Sequence, residues 1–356
     1  MPTLERMSAR RQRTLGLAGL VVGVVVLGVA IAVAVNGHST TTRSNGQPTS
    51  SRADTTSTRT PFAANSIWNA PLSPSAPIAS NSPLLVNQLE EQVSRYGAWI
   101  NTTSYSTPIY TVAASQPRVP VVLDNPAGNP SAALLAQVLR AGVPIPAAAQ
   151  PAPGTDADLV VWQPSTDTIW EMWNTHRVGS SWHARWGGRM QNVSRNPGYF
   201  TNPPDWGIAA TSLALLGGTI RISDLRAGHI DHALAISIPH ARQGVVAWPA
   251  QRTDGNLNSR DGIPEGTRFR LDPTLDLSKL NLPPVTRMIA EAAQHYGLFV
   301  RDQSGAVAFY AEQPTAGPDP YSGATSVFGS LGPKEVAEAF PWSHLEVVSA
   351  PTRTYP

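Results

Sequence analysis

Glu171 lies in the run IWEMW at residues 169–173, with Ile169 and Trp173 two positions away on either side. Strand side chains alternate, so these three share one face while Trp170 and Met172 take the other. A carboxyl set between an aliphatic and an indole is either an acid whose pKa is raised by burial or a hook for sugar hydroxyls. Asp205 follows two prolines, and Asp231 with His232 stands where a loop enters a strand. A histidine beside a carboxylate offers a base, a metal ligand or a hydrogen-bonding hook. Glu171, Asp205, Asp231 and His232 are therefore the candidate catalytic groups. Five of the ten tryptophans fall within residues 158–190. Flat apolar rings carrying N–H donors suit a carbohydrate surface, which makes Trp173, Trp182, Trp186, Trp206, Trp248 and His183 candidates for substrate contacts. More than half of those indoles are expected in the core instead, and His183 and His176 are both weaker candidates than the carboxyl groups.

A second spacing concerns metal. Asp254, Asn256, Asn258 and Glu265 fall at the first, third, fifth and twelfth places of a loop, the oxygen-ligand pattern of a Ca²⁺ site. Against it, Ser259 occupies the place where the tight turn calls for glycine, and the flanks read as strands. Ca²⁺ is thus a candidate ligand, although the reading requires no cofactor. The sequence has no HExxH, GxSxG, P-loop or GxGxxG after a strand, which removes the motif support for zincin, esterase and nucleotide-enzyme chemistry. It has no cysteine, which excludes thiol catalysis and zinc-thiolate sites, and a net charge of +2 gives no basic face for nucleic acid.

The element that must position Glu171 is an antiparallel meander at residues 159–162, 168–174 and 182–190, turning through Pro164-Ser165-Thr166-Asp167. On its third strand Trp182, Ala184 and Trp186 share a face, and His183 and Arg185 the opposite one. Apolar stripes predict helices from Ser82 (Leu85, Leu89, Val93, Tyr96), over 131–140 and over 284–295 (Val285, Met288, Ile289, Ala292, Tyr296), stopped at Gly97, Gly142 and Gly297. Further strands are predicted at 99–101, 107–112, 119–124, 232–238, 245–248 and 269–271, and a hairpin pairs 298–301 with 307–310 through Ser304-Gly305. Trp68 reads as a core plug. Strands outnumber helices and run in hairpin-linked sets. The predicted fold is mainly β: an antiparallel sandwich or jelly-roll-like domain with a few peripheral helices.

Ahead of that domain, residues 15–35 hold no polar side chain and follow Arg6, Arg10, Arg11 and Arg13. One transmembrane helix is predicted, with residues 1–14 as a basic cytoplasmic tail. Residues 36–60 read as a disordered Ser/Thr-rich linker, residues 61–348 as the extracellular β-rich domain and residues 349–356 as a tail. Cleavage within residues 30–34 would give a secreted protein instead.

The run GHIDHALAISIP, then VVAWPAQRTDG, then IPEGTRFRLDPTLDL ahead of HYGLFVRD, resembles a group of exported bacterial proteins common in actinobacteria, whose activity is unassigned. That resemblance spans most of residues 61–348 and transfers no catalytic residue. The IWEMW strand is similar to the strand bearing the nucleophilic glutamate in some jelly-roll glycoside hydrolases, and this implies a glycan-active enzyme; no motif here matches the partner carboxylate of those enzymes. The expectation is an extracellular hydrolase acting on polysaccharide or cell-wall glycan through two carboxylates. A non-catalytic carbohydrate-binding or wall-associated module is the alternative, since one indole surface serves both.

Overall fold

The strand Leu234–Ile238 is buried along its whole length, and its alternate residues feed two different cores. Ala235, with Phe299 of a neighbouring strand, joins the cluster that holds Trp68 and Leu159 to Val161. Leu234, Ile236 and Ile238 join the other, closed over by the helices Ser82–Tyr96 and Pro284–His295. A strand covered on both faces belongs in the middle of a sheet. The computed structural model describes residues 58–124 and 130–355. Among them a six-stranded sheet runs Ala98–Asn101, Val307–Tyr310, Leu234–Ile238, Leu298–Gln303, Arg268–Leu271, Leu345–Val347.

This order corrects the predicted hairpin. Leu234–Ile238 inserts between the two strands that flank Ser304-Gly305, parallel to Leu298–Gln303 and antiparallel to Val307–Tyr310. A local turn signal loses here to a strand that needs partners on both edges and cover on both faces.

The predicted meander is present in a five-stranded sheet, ordered Glu312–Gln313, Thr107–Thr111, Leu159–Gln163, Thr168–Trp173, Trp186–Gln191. Its first two pairings are parallel and its last two antiparallel. The third predicted strand, however, breaks at Arg185, whose N–H donates to the Trp173 carbonyl at 2.9 Å. Ser181–Ala184 departs to a small sheet, parallel to Val121–Leu123 and antiparallel to His176–Val178. The fold is therefore mainly β in mixed sheets rather than an antiparallel jelly roll. Parallel pairs need long crossovers, and these run through the helices Pro130–Arg140 and Pro284–His295.

Trp68 is the expected plug. It is fully buried, donates Nε1–H to the Gly198 carbonyl at 2.7 Å and meets Phe299 edge to face at 5.4 Å. A Cβ at Gly217 would lie 2.1 Å from its Nε1, so the chain there approaches closer than any side chain allows. The fold also extends past both predicted boundaries. Thr58 and Thr60 are buried and hydrogen-bonded, and Thr352–Thr354 pairs with residues 245–247. The apolar segment at 15–35, its basic flank and most of the linker lie outside the described residues. Among the described residues no helix is long and apolar enough to cross a membrane.

Candidate functional site

One end of the five-stranded sheet meets the six-stranded sheet at a cleft of about 650 Å³, the size of a small-ligand site. Three neighbouring strands bring Asp158, Trp173 and Trp186 to that end, the two indoles as a directly opposed cross-strand pair. From the other sheet come Trp99 and Asn101, and beside them Ala308 and Tyr310, each pair two residues apart and so on one face. Arg301 and Asp302 are consecutive, yet both line the cleft. Regular alternation would send them to opposite faces. The register of their strand shifts between Val300 and Asp302, and such a bulge re-aims a side chain.

Arg301 is fully buried. Its Nη1 donates to the Leu215 carbonyl at 3.1 Å, its Nε stands 3.7 Å from Asp302 Oδ2, and the guanidinium lies 4.0 Å from the Tyr310 ring centroid. Asp302 also accepts the Ala210 N–H. Arg252 fixes the loop that carries Ile208 and Ala210 into the cleft, donating to Ser212 Oγ at 2.9 Å and to the Gly207 and Ala209 carbonyls at 2.8 Å. Both acids line the cleft and are half-buried, and the cost of charging them there dominates. Burial lifts the Asp302 carboxyl to about 7, although Arg301 and the Ala210 N–H pull it down. Burial, then the charges of Asp156 and Asp302, pushes Asp158 well above the usual carboxylate range. The charge of Asp302 thus reaches Asp158.

Glu171 does not line this cleft. Its strand is covered on both faces, so the alternation of its neighbours gave its side but not its depth, and it is fully buried. Its Oε1 accepts the Leu215 N–H at 2.7 Å, while Oε2 has no hydrogen-bond partner. Burial raises this carboxyl to about 7, against the lowering pull of the Leu215 N–H and Arg301. Leu215 lines the cleft and its carbonyl holds Arg301, so Glu171 meets the cleft lining at Leu215 rather than standing in it.

The remaining predicted residues divide. Trp173 and Trp186 line the cleft, and Trp186 Nε1 donates to the Asp205 carbonyl at 3.2 Å. Asp205 thus meets the site through its carbonyl, and its charge is felt by Arg252. Trp182 and Trp206 are core: Trp182 is covered by the Arg177 guanidinium 4.0 Å from its ring centroid, and Trp206 donates to the Ser131 carbonyl. Trp248 is exposed, edge-on to Tyr199, and is not part of the cleft lining. His183 bonds Asp124 at 2.9 Å on the small sheet. Asp231 accepts the Thr58 N–H and pairs with His229 at 3.3 Å. His232 is fully buried between the Ala233 carbonyl at 2.9 Å and Asp224 Oδ2 at 3.1 Å, which makes it structural.

The loop with calcium-like spacing is laid along residues 241–243 by backbone bonds from and to Leu257. Asp254 turns to Gln303 and lines the cleft, whereas the Asn256 oxygen faces His240 at 3.2 Å and Asn258 is exposed. Glu265 is buried and accepts the Asp254 N–H at 3.2 Å. Asp254 and Glu265 thus stay neighbours, while Asn256 turns to His240 and Asn258 to the surface.

Asp158, Asp302, Arg301, Tyr310 and Trp99 escaped the sequence reading. A charged Arg-Asp pair inside the otherwise apolar strand LFVRDQ, and an aspartate opening the strand LVVWQ, were the signals available. No family model matches the sequence, and no curated protein or solved structure matches it.

Proposed function

We propose that the cleft binds and hydrolyses a glycan outside the cell, with Asp158 as general acid and Asp302 as its anionic partner. The observation that carries this reading is that Asp158 and Asp302 line one cleft together with Trp99, Trp173 and Trp186, the Asp302 charge raising the Asp158 carboxyl. Hydrolysis of a glycosidic bond needs one carboxyl that holds a proton and one that does not. Asp158 has only acids for its nearest charge partners apart from Arg301, so it keeps its proton. Asp302 has Arg301, Arg252 and a backbone N–H to steady its anion. In the reaction Asp158 gives its proton to the departing sugar oxygen. Asp302 takes a proton from a water whose oxygen bonds the anomeric carbon, or bonds that carbon itself and is then released by a water that Asp158 deprotonates. The indoles offer faces on which sugar rings stack. The extracellular setting rests on the segment at 15–35, and the same site suits a protein anchored there or released by cleavage.

Asp158→Asn tests the proposal against the binding-module alternative. The purified protein is assayed on a polysaccharide panel for bound glycan and for new reducing ends. A hydrolase keeps most of its glycan affinity in this variant and loses turnover by roughly two to four orders of magnitude. Binding by the wild type without product at any pH transfers the function to the module.

A further inference from the structure

The small three-stranded sheet carries a second constellation, apart from the cleft. His176 and His183 are directly opposed across its antiparallel pair, and His183 lies beside Val122 on the other side. Trp182 and Ala184 turn inward and are buried, so the histidines share the outer face. Asp124 follows Val122 by two residues and returns to that face, with its N–H fixed on the Ala184 carbonyl at 2.8 Å. Its Oδ1 lies 2.9 Å from His183 Nδ1 and its Oδ2 3.7 Å from His176 Nε2. Donor atoms of the three residues all fall within 4.8 Å of one another.

The tautomer of His176 sharpens the point. Its Nδ1 stands 2.9 Å from the Asn174 carbonyl, which can only accept, so Nδ1 carries the hydrogen. Asn174 is itself held, its N–H on the Asp156 carbonyl at 2.6 Å and the Thr175 N–H on the Ala157 carbonyl at 3.0 Å. With Nδ1 so engaged, His176 turns Nε2 toward the Asp124 carboxylate, beside His183 on the same face. A ring N–H held by a carbonyl is also the usual way a metal-ligating histidine is oriented.

We propose that Asp124, His176 and His183 bind a divalent first-row transition metal of the zinc type, with water in the position left open to solvent. Ligand atoms at about 2.0–2.2 Å from such an ion, set tetrahedrally, lie about 3.4 Å apart. The 3.7 Å separation to His176 already approaches this, and the 2.9 Å hydrogen bond to His183 needs to open by a fraction of an ångström. Two imidazoles and one carboxylate favour zinc, cobalt or iron over calcium, whose ligands are oxygens. The ion would tie three strands together at one face.

The test uses the purified full-length protein, stripped with chelator and titrated with Co²⁺ alone, then with Zn²⁺ in competition. One equivalent of Co²⁺ should bind with visible absorption bands and be displaced by Zn²⁺. His176→Ala, which removes an exposed side chain and leaves the core untouched, should weaken binding by at least about tenfold. His183→Ala and Asp124→Asn should do the same, and His295→Ala, an exposed histidine elsewhere, should change nothing. Matched far-UV spectra without metal establish that the variants fold; should His183→Ala fail there, His176→Ala decides alone. No binding at millimolar Co²⁺ or Zn²⁺, or equal affinity in a folded His176→Ala protein, overturns the site.

Discussion

Asp224 and the cleft acids are both withdrawn from water, and the chain treats them in opposite ways. At Asp224, Oδ1 meets Arg221 Nη2 at 2.9 Å, and Oδ2 takes the Arg221 N–H at 2.8 Å and His232 Nε2 at 3.1 Å. Burial by itself would raise that carboxyl, but the bond and charge of His232, with Arg221, bring it below its ordinary value. Around the cleft the partners stop short. Glu171 Oε2, Glu265 Oε1 and Arg301 Nη2 have none, and the carboxyls of Glu171 and Asp302 rise to about 7. A buried acid whose oxygens are all answered is held as an anion, whereas one left partly unanswered holds its proton to higher pH.

The sharpest break of this contrast is Asp302→Asn. Turnover should fall by roughly two to four orders of magnitude, and the rise of kcat/KM with pH through about 7 should vanish, because the group that must be anionic no longer titrates. Kinetics across pH on a cleaved glycan check it.

Next in size is Asp224→Ala, which strands Arg221 and His232 without their counter-charge. Denaturant unfolding should show a loss of about 3–5 kcal/mol. The pH dependence follows from the depressed value: this acid stabilises above the ordinary carboxylate range, and the contribution disappears as pH falls through its folded value.

Glu171 runs the other way. Its folded value of about 7 exceeds its ordinary 4.5, so the folded state holds the proton more tightly. Its contribution is favourable at low pH and is lost as pH rises through about 7, a change of about 3 kcal/mol at 1.36 kcal/mol per unit. Glu171→Gln should remove that slope from the stability curve between those limits while still accepting the Leu215 N–H. Equilibrium unfolding at a series of pH values reads it.

The smallest effect separates the tryptophans. Trp99→Ala should weaken glycan binding by about 0.5–1.5 kcal/mol, while Trp248→Ala, away from the cleft, should leave it unchanged by calorimetry.

The sequence showed which segments are strands and which indole plugs the core, because apolar runs bounded by turns and an isolated Trp68 carry local signatures. It did not show which strands are neighbours. Leu234–Ile238 reaches its partners across helix-bearing crossovers, and nothing local to Ser304-Gly305 announces that a third strand will enter. The site was half legible for the same reason. Trp173 and Trp186 pair within one meander, but Asp302 faces the cleft through a bulge, which a period of two cannot foresee. The prominence of Glu171 came from its neighbours in sequence, and depth is set by what the other sheet covers.

Asp158 and Asp302 come to the cleft from different sheets, so neither strand alone sets the span between them. Trp68, which meets Phe299 of one sheet and is crowded at Gly217, lies in the core that residues of both sheets share, so that core is what holds the two carboxyls in register. On the proposed reading, warming or mild denaturant that loosens this core should silence hydrolysis before the far-UV spectrum changes, and a bound glycan that touches both sheets should delay that silence.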